Sequence, residues 1–92
     1  MTGATTNDAI ALALRALAAT LGDQRLATRF LSVSGIEPPD LRQRAGDPAL
    51  LAALLAALLR FLEAHEPDLV AIAGELEVKP AELVAARREL EQ

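Results

Sequence analysis

Residues 49–59 form an uninterrupted apolar run that contains only alanine and leucine. Both residue types are strong helix formers, and their spacing predicts a helix over residues 48–64 with a leucine face and an alanine face. Asp47 and Pro48 mark its start, because an acidic N-cap followed by proline is a strong start signal. A helix that is apolar nearly all round is normally buried nearly all round, so we expect other helices to cover both faces.

The same run is too short to cross a bilayer, which needs about 20 apolar residues. A helix lying on a membrane surface is the alternative to a buried core helix. The N-terminal residues show no charged segment followed by an apolar run and a cleavage site, so we expect a cytoplasmic protein.

Composition extends the helical prediction to the whole chain. Alanine and leucine together make up 38 of 92 residues, whereas strand formers are scarce. We expect an all-α fold: a compact bundle of about six helices around the central helix 48–64, forming a single domain over 7–92 after a flexible N-terminus at 1–6. The predicted core-facing residues are Ile10, Leu14, Leu17 and Leu21 in the first helix, Leu26, Phe30 and Val33 in the second, Leu69, Ile72, Ala73 and Leu76 in the fifth, and Leu83, Ala86 and Leu90 in the sixth.

Two stretches of the sequence resemble each other at an offset of 42 residues. Ile36 matches Val78, and Pro38 matches Pro80, so that each stretch is a helix, a tight apolar turn and a helix begun by proline. Long helices precede both stretches at similar distances. The pattern predicts two similar helical triplets packed face to face, with chance similarity in an alanine- and leucine-rich chain as the competing explanation.

Charge and cysteine content exclude several classes of protein. The absence of cysteine excludes a disulfide scaffold and a thiolate metal site, and the net charge of −4 argues against a general nucleic-acid binder. Residues 61–78 hold five acidic residues and no basic one, whereas residues 23–46 hold four arginines against three acidic residues. We interpret the acidic stretch as a solvated face, with a docking surface for a basic partner as the alternative.

Residues 69–90 resemble a helix-turn-helix motif in the spacing of their apolar residues. Glu77 stands at the turn position that usually needs glycine, and Lys79, Arg87 and Arg88 are balanced by three glutamates on the same helix. Because DNA affinity depends on phosphate neutralisation, a plain helix pair that serves the core is the favoured interpretation.

The first copy of the repeat is the better-charged candidate for nucleic-acid binding. It has Gly35 at the turn and carries Arg42 and Arg44 on its second helix. Asp40 stands four residues before Arg44, so an ion pair within the helix also explains that arginine.

Neither catalytic nor metal-ligand spacing is found in the sequence. His65 is the only histidine and is flanked by Glu63 and Glu66, but a zinc or iron site needs three or four converging ligands. A histidine at the C-terminal end of a long helix is more simply a partner of the helix dipole. Ser32 and Ser34, the only serines, lie outside any nucleophile-elbow pattern. We therefore expect no enzyme activity, no cofactor and no metal.

A family resemblance runs through the middle of the chain. The segment RFLSVSGIEPPDLRQRA at 29–45, followed by DPALL at 47–51 and AARREL at 85–90, resembles a family of small alphaproteobacterial proteins catalogued as a domain of unknown function. The resemblance covers residues 7–90, and Glu77 departs from it where such sequences tend to have glycine. It implies a compact helical fold in a bacterial cytoplasm and supplies no activity and no functional residues.

The leading functional hypothesis is a non-enzymatic, all-helical interaction module that binds a protein partner or itself. It depends on the excess apolar surface of the helix 48–64 and on the lack of a catalytic constellation. A nucleic-acid-binding helix-turn-helix protein is the alternative.

The substitution Leu54→Glu tests whether the helix 48–64 is central to the fold. An unpaired charge in the core costs several kcal/mol, so we expect the variant to unfold or dissociate. Thermal unfolding followed by circular dichroism measures this, and an unchanged melting temperature would show that the helix is peripheral.

Overall fold

Six helices joined by short turns make up the part of the chain that the computed structural model describes, residues 6–92. Residues 1–5, most of the predicted flexible N-terminus at 1–6, lie outside the described residues. The helices are α1 Thr6–Leu21, α2 Gln24–Ser34, α3 Pro38–Ala45, α4 Pro48–Glu63, α5 Glu66–Leu76 and α6 Pro80–Leu90. Residues 6–92 contain no strand, so the all-α prediction is confirmed.

The helices fall into two triplets that are offset by 42 residues. α1 and α4 span 6–21 and 48–63, α2 and α5 span 24–34 and 66–76, and α3 and α6 begin at Pro38 and Pro80. The turns correspond as well, because Gly35 and Glu77 both adopt the left-handed conformation, with φ of 72° and 59°. An identical offset at every helix start favours two similar triplets over chance similarity.

The two triplets are interleaved in a thin molecule. The third helix of each triplet packs on the first helix of the other, α6 on α1 and α3 on α4. The arrangement is unequal, because α6 also packs on α4, whereas α3 makes no contact with α1 within residues 6–92. The smallest extent of the molecule is 18 Å, close to two layers of helices. One side of a long helix can therefore remain uncovered.

Local signals explain where the helices begin. The Asp23 carboxylate caps α2 by accepting a hydrogen bond from the Leu26 backbone N–H at 3.1 Å. The Asp47 carboxylate caps α4 by accepting from the N–H groups of Ala49 and Leu50 at 2.9 and 3.2 Å. Both caps satisfy donors that the first turn of a helix leaves without partners, and the cap at Asp47 is the one that the sequence predicted above.

The core is built on the leucine face of α4. Its buried leucines, each exposed by 2% or less, are Leu54, Leu55, Leu58, Leu59 and Leu62. The predicted core residues of α5 and α6 are also buried, except that Leu90 is only partly covered.

The predicted apolar stripe of α1 is wrong in part. Leu14 is 41% exposed and Leu21 is also exposed, whereas the buried face of the helix consists of small residues: Ala9, Ala13, Ala16 and Thr20. The Thr20 hydroxyl donates to the Ala16 carbonyl at 2.8 Å, which makes it acceptable in the core. α1 contacts α2, α4, α5 and α6, and small side chains let these backbones approach closely while the leucines of α4 fill the space.

The predicted stripe of α2 is also wrong at one position. Leu26 and Phe30 are buried, but Val33 is 74% exposed. α2 makes only limited contact with α4, so the last turn of α2 extends beyond the core.

Paired substitutions at the two left-handed turns test the correspondence of the triplets. A left-handed conformation costs a residue with a Cβ atom about 1 kcal/mol relative to glycine. Glu77→Gly should therefore raise the free energy of unfolding by about 1 kcal/mol, and Gly35→Ala should lower it by a similar amount. No atom lies within 4 Å of a Cβ built on Gly35, so its cost is conformational.

Chemical denaturation at pH 7 measures both changes. Changes of the same sign in the two variants would contradict the proposed equivalence of the two turns.

Candidate functional site

α4 has one face that the other helices of residues 6–92 leave uncovered. Its exposed residues beyond the first residue, Pro48, here named the α4 outer face, are Ala49, Leu50, Ala53, Ala57, Arg60 and, at the C-cap, Ala64. Only Ala56 among the alanines of 49–57 is fully buried. The prediction that other helices cover both faces of α4 is therefore wrong for the alanine face, because a structure two layers thick covers only one side of the helix.

Two shallow apolar depressions flank the α4 outer face. The first lies between α4 and the end of α6 and is lined by Ala49, Ala52, Ala53, Ala56, Ala57, Arg60, Leu90 and Glu91. The second lies between α4 and the end of α2 and is lined by Phe30, Val33, Ser34, Ala57, Arg60, Phe61 and Ala64. Ala57 and Arg60 belong to both, so the depressions form one continuous apolar surface across α4.

The corresponding face of α1 provides an internal comparison. Subtracting 42 from the positions of the α4 outer face gives Asn7, Asp8, Ala11, Arg15, Ala18 and Gly22, all of which are exposed. Three of these six residues are polar or charged, whereas Arg60 is the only one on α4. Arg15 also serves the fold, since its guanidinium donates to the Leu76 carbonyl at 2.9 Å. The fold thus tolerates several polar residues on this face of a long helix, whereas the α4 outer face has only Arg60.

A network of ion pairs closes one end of the α4 outer face. Arg60 donates two hydrogen bonds to the Glu91 carboxylate, and Arg87 donates to both Glu91 and Glu63. Hydrogen bonds from Arg60 and Arg87 lower the pKa of Glu91 by more than its desolvation raises it, and the bonds to Glu63 and Glu91 raise the pKa of Arg87. The network joins the C-terminal end of α6 to α4.

A second polar cluster surrounds Asp68, which is only 4% exposed. Its carboxylate accepts hydrogen bonds from Arg25 at 3.2 Å and Arg29 at 3.0 Å, and His65 Nδ1 lies 2.8 Å from Oδ2. Because an ionised carboxylate only accepts, Nδ1 of His65 carries the proton in this pair. The Arg29 guanidinium also lies over the ring of Phe61, 5.5 Å from its centroid.

The Asp68 cluster fixes α2 to the start of α5. Burial raises the pKa of Asp68, but hydrogen bonds from His65 and Arg25 and the charges of His65 and Arg29 lower it by more, so this pKa lies below its ordinary value of 3.8. Sequence reasoning missed the cluster because its members are 39 and 43 residues apart. The signal that could have found it is the acidic stretch 61–78 set against the arginine-rich stretch 23–46.

The structure changes the interpretation of the acidic stretch and of His65. Asp68 is buried and Glu63 pairs with Arg87, so the stretch is not simply a solvated face. His65 occupies the N-cap position of α5, where its side chain makes no capping bond and contacts Asp68 instead. The structure thus adds a contact for His65 that the sequence did not predict, its hydrogen bond with the Asp68 carboxylate.

The other residues that the sequence singled out lie apart from any convergent site. Ser32 is exposed, and the Ser34 hydroxyl donates to the Leu31 carbonyl and accepts from the Ile36 N–H. Within residues 6–92, no group of three or more histidine, cysteine, aspartate or glutamate side chains is placed to hold a metal ion.

The basic side chains of the two helix-turn-helix-like segments differ in how free they are to contact phosphate. The side chain of Arg87 is only 15% exposed and bound by two glutamates, so one of the two arginines of α6 is not free to contact phosphate. Arg42 is exposed and Arg44 is partly buried on α3.

No single helix in residues 6–92 is long and apolar enough to cross a membrane. α4 and α5 reach the length and hydropathy of a span only when they are taken together, across a bend of 117°.

The substitution Asp68→Asn tests the contribution of the buried cluster. We expect the free energy of unfolding to fall by about 1–2 kcal/mol at pH 7, since charged hydrogen bonds are lost to partners that are partly exposed. The folded-state pKa lies below the unfolded value, so the stabilisation is present above pH 3.8 and is lost as the pH falls through the folded pKa. The difference between variant and parent should therefore shrink on acidification.

Urea unfolding across a pH series measures this difference. The control is Glu75→Gln on the exposed side of α5, which should change stability by less than about 0.5 kcal/mol. A difference that stays constant down to pH 2 would contradict the role given to the Asp68 carboxylate.

Comparison with known proteins gives a family and no further relative. No curated protein and no solved structure matches the chain. One family model, described as a protein of unknown function (DUF3572), matches residues 6–92, nearly the whole chain. The protein therefore belongs to the DUF3572 family.

Proposed function

We propose that this protein is a non-enzymatic protein-interaction module of the cytoplasm and that the α4 outer face is its binding surface. The single observation that carries the proposal is the composition of this face. Four of its six exposed residues are alanine, one is leucine and only Arg60 is charged.

The physical argument starts from what an exposed helix face normally contains. A surface helix presents charged and polar residues to solvent on the side away from the core. The α4 outer face is uncharged from Ala49 to Ala57, although the matching face of α1 carries Asn7, Asp8 and Arg15. The exposed apolar side chain of Val33 borders the same surface. Contiguous apolar surface of this kind is typical of interaction sites.

The size of the side chains indicates what kind of partner fits. Ala49, Ala53 and Ala57 follow one another at intervals of four residues, so they form one row along the helix. A row of methyl groups lets a second helix approach at the short end of the usual 8–10 Å range between axes. We therefore propose that the partner presents a helix to α4.

Nucleic-acid binding by α2 and α3 is the second candidate. Gly35 gives the turn between them the left-handed residue that helix-turn-helix motifs use, and Arg42 is exposed on the second helix. It receives less support than the α4 surface because a cluster of free cations is needed to neutralise phosphates.

Site-specific photo-crosslinking in the native cells tests the proposal. A photoreactive residue replaces Ala53 on the α4 outer face, and the matched control replaces Ala11, the exposed alanine at the corresponding position of α1. We expect protein adducts at position 53 that are absent or at least about tenfold weaker at position 11. Both sites are exposed, so neither change should alter stability by more than about 0.5 kcal/mol.

Equal labelling at positions 53 and 11 would contradict the proposal. Recovery of nucleic acid instead of protein, from a probe placed at Arg42, would favour the second candidate.

A further inference from the structure

We propose that the helix received by the α4 outer face is α4 of a second copy of this chain, in antiparallel orientation about a two-fold axis at Ala53. The inference rests on the proposed function and identifies its partner. Three features carry it: the symmetry of the alanine row, the charges at the two ends of α4, and the polar character of the matching face on α1.

In an antiparallel pair, all three alanines of the row meet alanines of the second copy only when the two-fold axis lies at Ala53. In an antiparallel pair centred there, Ala53 meets Ala53 of the second copy and Ala49 meets Ala57. All three residues are exposed and small, so the two backbones can approach without moving a core side chain. Alanines that face each other directly need axes about 9–10 Å apart, because their methyl groups then meet at van der Waals distance, and their Cα atoms would lie about 5 Å apart, within the range of a disulfide.

The charges at the ends of the row select the antiparallel orientation. The same axis that pairs Ala49 with Ala57 brings Arg60 of one copy to the Gly46–Asp47 turn of the other. A parallel pair would instead place Arg60 beside Arg60 and Asp47 beside Asp47, and like charges at such a contact are unfavourable. Antiparallel α4 helices also align their dipoles favourably.

Free hydrogen-bonding atoms are present on both residues of this pair. Both capping bonds of Asp47 go to Oδ1, which leaves Oδ2 for an incoming donor. Arg60 gives Nε and Nη2 to Glu91, which leaves Nη1 for an incoming carboxylate. The Asp47–Arg60 pair can therefore form between copies without breaking either contact within a copy, and it would form twice.

The area of the surface sets the strength of the association. Residues 49–60 cover about 18 Å of a helix about 10–12 Å wide, so this side of α4 offers only about 200 Å² per copy, to which the flanking depressions add. Stable dimers bury about 800 Å² per partner, so we expect a weak dimer, populated at about 100 µM and largely dissociated at about 1 µM.

Substitutions that reverse the charge at Asp47 or Arg60 test the inference. Sedimentation equilibrium of the purified full chain measures their effect on self-association. Asp47→Lys and Arg60→Glu should each weaken self-association by about tenfold, because both inter-copy pairs become repulsive in each homodimer. An equimolar mixture of the two variants should recover the parental association, since both pairs are then attractive. Recovery cannot arise from a folding defect, because each chain in the mixture keeps its own substitution.

A disulfide test fixes the position of the axis. The chain has no cysteine, so Ala53→Cys introduces a single thiol that should form a covalent dimer in air at about 100 µM. Ala11→Cys, the matched position on α1, should remain largely monomeric under the same conditions.

The outcomes separate this inference from the proposed function. A parental chain that is monomeric at 100 µM, or variants whose mixture does not recover association, would overturn self-pairing. If position 53 still crosslinks to another protein in cells, the binding surface stands and its partner is a different helix. If it crosslinks to nothing, both proposals fail.

Discussion

The packing of the α4 leucines against a face of small residues on α1 is the contact on which the rest of the structure depends. Leu55, Leu58 and Leu59 are fully buried, and Ala13 and Ala16 are fully buried on α1. Large side chains on one long helix and small ones on the other fill a core only two layers thick without opening cavities. This arrangement also determines which faces are exposed, because every leucine of α4 from Leu54 onward is buried, whereas Ala53 and Ala57 face solvent.

Contacts between the two similar triplets hold together a chain that has almost no aromatic residues. Each third helix packs on the first helix of the other triplet, so each long helix is covered in part by the other triplet. Asp68 on the second triplet is bound by Arg25 and Arg29 on the first, which adds a buried polar contact between the two. One acidic residue of the stretch 61–78 is thus paired with two arginines of the stretch 23–46. The shorter α3 breaks the symmetry, because α6 packs on both long helices whereas α3 packs on α4 alone.

Local signals in the sequence predicted six helices, the cap at Asp47 and the buried leucines of α4. They did not predict which face of α1 is buried, because an alanine stripe and a leucine stripe share that helix and only its neighbours decide between them. Val33 follows Phe30 by three residues, so their spacing places both on one face of α2. The exposure of Val33 follows from where α2 ends relative to α4. The Asp68 cluster and the open α4 outer face depend on contacts between residues far apart in sequence, which periodicity does not encode.

The central feature of the fold is that α1 presents small side chains to the core and α4 presents large ones. Solvent paramagnetic relaxation of alanine methyl groups in the dilute protein measures this directly. We expect strong relaxation at Ala53 and Ala57, comparable to that at Ala11, and protection at Ala13 and Ala16. Protected methyl groups at positions 53 and 57 together with exposed ones at 13 and 16 would contradict the account.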